Sequence, residues 1–349
     1  MRRILIEFPG HGNGTLFDAG ARDAVLEPFI RLRDRLRAAG YELLTADDHP
    51  VEGCERILFW DFYDDPPDGA MRGVARAIRR RLRGDPPRRS LFRDVVRAGM
   101  RERAVLFTGE PPVVWPRNWS PEVHAAFSCI FTWNDRYVDG RRYHKFHWPI
   151  TATFPETPPV PFADRKLLVN ISANKSSEHP QELYSDRVAA IRHFEEHCPD
   201  AFDLFGVGWD AGHAGRPFPS YRGTVRHKWE VFPRYRFAIC YENMRGEPGW
   251  ITEKIFDCMR ADCVPVYLGA SNVEDYVDPA AFVDRRRFGS DAELADHLMS
   301  MDAGAYGRHR AAMGEYLAGE RFARFLSPAF CETVFRGLGL APAMDAGSG

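Results

Sequence analysis

Five prolines fall between positions 149 and 161 of this 349-residue chain, within HWPITATFPETPPVPFADRK. Proline fixes φ and removes an N–H donor, so neither a helix nor a central strand can run through such a stretch. The chain is therefore expected to fold as two units, residues 1–155 and 156–340, joined by a proline-rich linker. Each half is of ordinary domain size, and 44% hydrophobic content with 13% aromatics supplies both cores. Residues 341–349 read as a disordered tail.

Both halves share one grammar. In the first, apolar β-rich runs predict strands at Ile4–Phe8, Glu42–Thr45, Arg56–Trp60, Ala104–Thr108 and Cys129–Thr132. Helices are expected over Asp18–Ala39, Ala70–Arg83 and Leu91–Ala98. In the second, strands are predicted at Leu167–Ile171, Asp203–Phe205, Phe237–Tyr241, Val264–Leu268 and Phe282–Asp284. Its helices are expected over Gln181–His197, Val225–Tyr235, Thr252–Arg260, Asp291–Met301 and Ala305–Glu320. Alternating strands and helices predict α/β units with parallel, helix-covered sheets, two Rossmann-like halves. Dehydrogenases and ligases share that plan, so architecture alone does not choose a chemistry.

Charge and cysteine usage narrow the setting. A formal net charge of −2 gives no general attraction for nucleic acid. Twelve arginines nevertheless lie between Arg72 and Arg103. They read either as the solvated face of a helix or as a docking patch for an anionic membrane or acceptor. Seven scattered cysteines with no CxxC pair fit a reducing compartment. The N-terminal apolar run is too short for a signal peptide, and no stretch is long enough to span a bilayer. The expectation is a cytoplasmic protein, with peripheral contact at the inner membrane through Arg72–Arg103 if that patch docks.

Gly10-His11-Gly12-Asn13-Gly14 follows the first strand. It reads as a flexible turn beneath an interdomain cleft or, less well, as a phosphate cradle, since the spacing departs from GxGxxG. Walker, HExxH, GxSxG and zinc patterns are absent, as is an Asp-x-Asp that would hold a metal on a diphosphate. Diphosphate charge would then have to be met by arginine, lysine and helix N-termini.

Those groups concentrate beyond Phe237. The strand ends in Tyr241-Glu242-Asn243, a glycine-bearing loop follows, and Trp250-Ile251-Thr252-Glu253-Lys254 opens a helix. Ligands of open parallel sheets sit at the carboxyl ends of strands beside such helix starts. Thr252 is a natural N-cap, Lys254 supplies positive charge, and Glu242 or Glu253 can accept from hydroxyls. An ordinary βαβ turn with surface charges is the plain alternative.

The segment YRFAICYENMRGEPGWITEKIFDCMRADCVPVYLGASNVEDYVDPAAFVDRRRF resembles the donor-binding region of glycosyltransferase family 10, the α-1,3/1,4-fucosyltransferases, bacterial type. Its Glu-Asn pair, aromatic-[IV]-Thr-Glu-Lys and Val-Pro-[IV] strand occur in the family's order. The likeness covers Leu167–Phe288 and weakens upstream. It implies a GT-B fold, two Rossmann-like domains facing a central cleft. It also implies GDP-fucose held by the second domain, inverting transfer, and no required cofactor or metal.

By the same resemblance Glu242, Asn243, Trp250, Thr252, Glu253 and Lys254 surround the donor, and Arg187 falls where the family binds diphosphate. Lys228 is a further cation for the site. Inverting transfer needs a base for the acceptor hydroxyl. The family assigns it to a strand-end Thr-Gly-Glu, which is Thr108-Gly109-Glu110 here. Asn118, Trp119 and His124 are candidates to line the acceptor side. Trp250 departs from the tyrosine of several members and bears on sugar choice. The expected partners are a GDP-sugar and an oligosaccharide or lipid-linked glycan, as in bacterial surface polysaccharide or lipopolysaccharide synthesis. Alternatives are the same fold with another nucleotide sugar, a dinucleotide oxidoreductase, or a non-catalytic nucleotide- or glycan-binding module.

Overall fold

A computed structural model describes residues 1–47, 49–63, 89–212 and 215–340. The expected helix Ala70–Arg83, most of the arginine patch and the tail 341–349 lie outside the described residues.

The chain builds two wholly parallel sheets. The first holds β1 (Arg2–Glu7), β2 (Tyr41–Thr45), β3 (Cys54–Trp60), β4 (Ala104–Thr108), β5 (Cys129–Thr132) and β6 (Tyr143–Lys145), in the order β2-β1-β3-β4-β5-β6. The second holds β7 (Lys166–Ile171), β8 (Phe202–Phe205), β9 (Tyr235–Tyr241), β10 (Val264–Leu268) and β11 (Val283–Asp284), in the order β11-β10-β9-β7-β8. The central strands read as unbroken apolar runs because both faces are covered. All of Ile57–Phe59 and Ala104–Thr108 is buried, as are Phe237–Tyr241 and Val264–Tyr267. The ends that matter come from neighbours in the sheet: β3 pairs with β4, with Trp60 opposite Phe107, and β9 with β10, with Tyr241 opposite Leu268.

Three local expectations need correction. Val225–Tyr235 is not a helix; it forms two 3₁₀ turns, Lys228–Glu230 and Phe232–Arg234, because Pro233 and the strand starting at Tyr235 leave no room for a longer one. The helix expected over Asp18–Ala39 is confined to Glu27–Ala38, preceded by turns in which Asp23 and Ala24 adopt left-handed φ values of 55° and 52°. The last helix, Ser327–Gly337, was not anticipated. It leaves the second unit, which was expected to run to residue 340, and packs Phe330, Cys331, Val334 and Phe335 into the core of the first.

The linker begins as a tethered segment. Ile150 is buried, its N–H donates to the Phe325 carbonyl at 2.9 Å, and its carbonyl accepts from Ser327 N–H at 2.9 Å. On one flank of the cleft Asp135 joins the units. It accepts from Lys145 and Tyr276, both at 2.6 Å, and from Asn272 at 3.0 Å. Asn134 and Arg136 of the first unit reach Glu247 of the second at 2.7 and 3.1 Å. All seven cysteines are free thiols. Among the described residues no helix is long and apolar enough to cross a membrane.

Candidate active site

The carboxyl ends of β7, β8 and β9 and the start of the helix Glu253–Arg260 enclose a cavity of about 280 Å³ between the two units. Ser172, Ala173 and Lys175 follow β7, Gly206 and Val207 follow β8, and Asn243 follows β9. This is the place where an open parallel sheet offers backbone and helix termini to a ligand. Gly206 is needed there. Its φ is 129°, and a β-carbon on it would overlap the Ser172 carbonyl. Only glycine lets the ends of β7 and β8 close so tightly.

Five cationic side chains border this cavity: Arg22, Lys175, Arg187, Lys228 and Lys254. Arg187 is buried, and its Nη2 donates to the carbonyls of Tyr241 and Glu242 at 2.8 and 3.2 Å. The last carbonyl of β9 and the one after it thus fix the guanidinium at the strand end. Lys228 Nζ meets Asp257 Oδ2 at 2.7 Å. Burial alone would lower both lysines. Asp257 and Glu253 instead hold Lys228 above its ordinary value, and Glu242 and Glu253 do the same for Lys254. Both ammonium groups therefore remain charged throughout the neutral range.

The helix start is held from behind. Thr252 Oγ1 caps the Lys254 N–H, while Glu242 accepts from Thr252 N–H at 2.8 Å, from its hydroxyl, and from Lys254 Nζ at 3.0 Å. Glu242 is wholly buried and does not border the cavity. It was expected to contact the donor. Its carboxylate is instead saturated by Thr252 and Lys254, which do border the cavity. Asn243, Trp250, Thr252, Glu253 and Lys254 border the cavity. Trp250 is 1% exposed, its ring lies 4.7 Å from Trp133 and 5.5 Å from Trp148, and its Nε1 has no hydrogen-bond partner among the described residues.

Glu110 comes from the opposite unit, at the end of β4, and borders this cavity. Its N–H donates to Asp61 Oδ1 at 2.9 Å, and its carbonyl accepts from Trp119 Nε1 at 3.0 Å. Gly109 before it touches the β3 end so closely that a β-carbon would lie 2.6 Å from Trp60 Nε1. The glycine of Thr-Gly-Glu therefore admits the neighbouring strand end. Burial raises the Glu110 carboxyl above the ordinary glutamate range, against the pull of Lys254 and Lys175.

Asn118, Trp119 and His124, candidates for the acceptor side, do not border this cavity. Asn118 is fully buried, donates to Asp61 and accepts from Phe62 N–H at 2.7 Å. His124 Nε2 hydrogen-bonds the Asn118 carbonyl at 2.7 Å, and burial lowers its pKa. The three form a buttress behind Asp61 and Glu110. Sequence reading missed Asp61, Trp148, Lys175 and Tyr184. Lys175 could have been found from its place just beyond the predicted strand Leu167–Ile171. The glycine-rich turn is no phosphate cradle, because Asn13 N–H is taken by Asp47 at 2.8 Å and Gly14 N–H by Thr45 at 3.0 Å. Among the described residues no three His, Cys, Asp or Glu side chains are grouped to hold a metal ion.

Comparison with known proteins agrees with this geometry. Residues 167–318 match glycosyltransferase family 10 (fucosyltransferase), C-terminal domain. An alpha-(1,4)-fucosyltransferase of Arabidopsis thaliana is 39% identical over 79 residues, 22% of this chain and 20% of that one. The alpha-(1,3)-fucosyltransferase FucT of Helicobacter pylori is 34% identical over 218 residues, 56% of this chain and 43% of the relative. The chain thus spans less than half the length of either relative. A solved alpha1,3-fucosyltransferase with GDP superposes with a TM-score of 0.56 at 14% identity, covering 99% of this chain and 93% of that one. The DNA-modifying beta-glucosyltransferase of phage T4 superposes at 0.55 and 10% identity, covering 97% and 100%. The fold is GT-B, two Rossmann-like domains about a cleft. Through residues 167–318 the chain is similar to the C-terminal domain of glycosyltransferase family 10.

Proposed function

We propose that this protein transfers fucose from GDP-fucose to a glycan hydroxyl with inversion, in the synthesis of a bacterial surface polysaccharide or lipopolysaccharide. One observation carries the reading: a cavity with five cations lies on one side of the cleft, and the buried carboxyl of Glu110 stands on the other. The cations suit a diphosphate that gains charge as it leaves, and Arg187, Lys254, Lys175 and Lys228 supply that charge from side chains. The acceptor oxygen attacks the anomeric carbon as the bond from that carbon to the diphosphate breaks. Its hydroxyl proton passes to Glu110, and GDP departs. The family match and the GDP complex of a structural neighbour support the choice of GDP-fucose.

The test is a thermal-shift comparison of GDP, UDP, CMP and NAD, followed by hydrolysis and transfer assays with GDP-fucose. GDP should stabilise most, by about 2.7 kcal/mol at a hundredfold excess over Kd. Stronger stabilisation by UDP or NAD would overturn the donor assignment.

A further inference from the structure

Four of the five cations that border the cavity between the units, Lys175, Arg187, Lys228 and Lys254, belong to the second unit, and the fifth, Arg22, comes from the first. Arg22 stands in the turn Arg22–Ala24, just before the helix Glu27–Ala38. The two residues after it, Asp23 and Ala24, have left-handed φ values of 55° and 52°. An L-residue takes that conformation at a steric cost, and two in succession persist only where surrounding contacts over-determine them. Here the contacts reach across the cleft. Asp23 is buried, and its Oδ1 accepts the Lys228 N–H at 3.2 Å and lies 3.4 Å from His227 Nδ1. Its Oδ2 accepts from Arg22 Nε at 3.2 Å.

The element on which Asp23 docks is itself tied into the site. Lys228 Nζ meets Asp257 at 2.7 Å, and Asp257 lies on the helix Glu253–Arg260, whose start presents Lys254. Arg22 is thus held in register with Lys228 and Lys254, although it belongs to the opposite unit. A neighbouring cavity, of about 310 Å³, shares Glu110, Trp148 and Glu253 with the cationic one. Asp23 and Asp257 border that second cavity, whereas Arg22 and Lys228 border the cationic one. Each ion pair therefore presents its cation to one cavity and its carboxylate to the other. The Asp23 bond uses Nε of Arg22 and does not engage the Nη groups, which can grip a phosphate as a fork.

We propose that Arg22 is a further donor-binding residue, a phosphate-binding cation delivered across the cleft, and that Asp23 is the residue that positions it. The inference rests on the reading of the cationic cavity as the diphosphate site. A departing diphosphate carries one more negative charge than the intact donor, so an added cation favours the departing state. Because Arg22 comes from the unit that also carries Glu110, its charge and the carboxyl reach the site through the same docking of the two units.

Isothermal titration of the full chain with inorganic pyrophosphate and with GDP tests it. Arg22→Met, at a half-exposed position, should leave the melting midpoint of the unliganded chain unchanged. It should weaken both ligands by about tenfold, the worth of one charge-assisted hydrogen bond. Asp23→Gly, which keeps the left-handed turn without strain, should weaken pyrophosphate to a similar extent. Added to Arg22→Met it should cost nothing further, whereas a residue that only held the fold would cost affinity in both backgrounds. Unchanged affinity for both ligands in Arg22→Met overturns the proposal, and an additive loss in the double variant removes Asp23 from its role. If the wild type binds pyrophosphate through Arg22 but does not bind GDP, the donor reading falls and the Arg22 site stands. If GDP binds equally well with and without Arg22, the donor reading stands and this one falls.

Discussion

Asp61 Oδ1 accepts the N–H of Glu110 at 2.9 Å, across 49 residues of sequence. Asp61 itself is buried, has a φ of 63°, and is held by the Asn118 side chain and by its own N–H on the Phe107 carbonyl. The ends of β3 and β4 are thereby locked so that the candidate base points into the cleft. Asp61→Ala should lower kcat by tenfold or more with little change in GDP affinity. Asp61→Asn, whose amide oxygen can still accept from Glu110, should retain most turnover. Equal loss in both variants would show that the hydrogen bond is not what matters.

The same carboxyl predicts a pH effect on stability. Asp61 is raised to about 7, chiefly by burial, far above its value in an unfolded chain. A group raised on folding contributes stability fully present below the unfolded pKa and lost as pH rises through the folded one. Between about pH 4 and 7 the wild type should therefore lose stability relative to Asp61→Asn. Urea midpoints measured at pH 5 and 7.5 check the sign, and a wild type that gains stability relative to Asp61→Asn toward higher pH would refute it.

Glu110→Gln should reduce turnover by roughly 10²–10⁴-fold while GDP still binds. Because burial raises the Glu110 carboxyl, the basic form is lost at a higher pH than for an exposed glutamate. The acid limb of the kcat/KM profile should lie above the ordinary glutamate range and vanish in the variant. Loss of GDP affinity with normal turnover of bound donor would remove Glu110 from the role.

Lys254 both borders the cationic cavity and neutralises Glu242 behind it, at 3.0 Å. Lys254→Met should weaken GDP binding and also cost about 3–5 kcal/mol of stability, because a buried carboxylate is left unpaired. In Lys254→Met/Glu242→Gln, stability should largely return while GDP affinity does not. Recovery of both in the double variant would mean that Lys254 acts only through the fold.

Gly206→Ala places a β-carbon on the Ser172 carbonyl at a φ of 129°. A loss of roughly 3 kcal/mol or more is expected. It should appear as a lower unfolding midpoint together with weaker GDP binding. Normal stability and affinity would show that the β7 and β8 ends can part without consequence.

Much of the site is readable along the chain because its signals are local. The Thr252 cap, the glycine loop after β9 and the Thr108-Gly109-Glu110 strand end each declare themselves within a few residues. The apolar runs that became β4, β9 and β10 do the same, since burial on both faces leaves a continuous signature. The resemblance to family 10 rests on such local runs.

What the chain order could not decide is which ends become neighbours and which way a polar side chain turns. Glu242 and Glu253 are equivalent as sequence, yet Glu242 is sealed behind Thr252 and Lys254 while Glu253 stands between two cavities. Asp61 and Glu110 meet only because β3 and β4 are adjacent in the sheet. Arg22 and Asp23 are consecutive, but the partition between the cavities sends their charges to opposite sides. Caps, turns and apolar periods depend on a few residues at a time and are fixed by sequence alone. Burial, charge pairing and the meeting of two units depend on segments brought together across the fold, and those the tertiary structure decided.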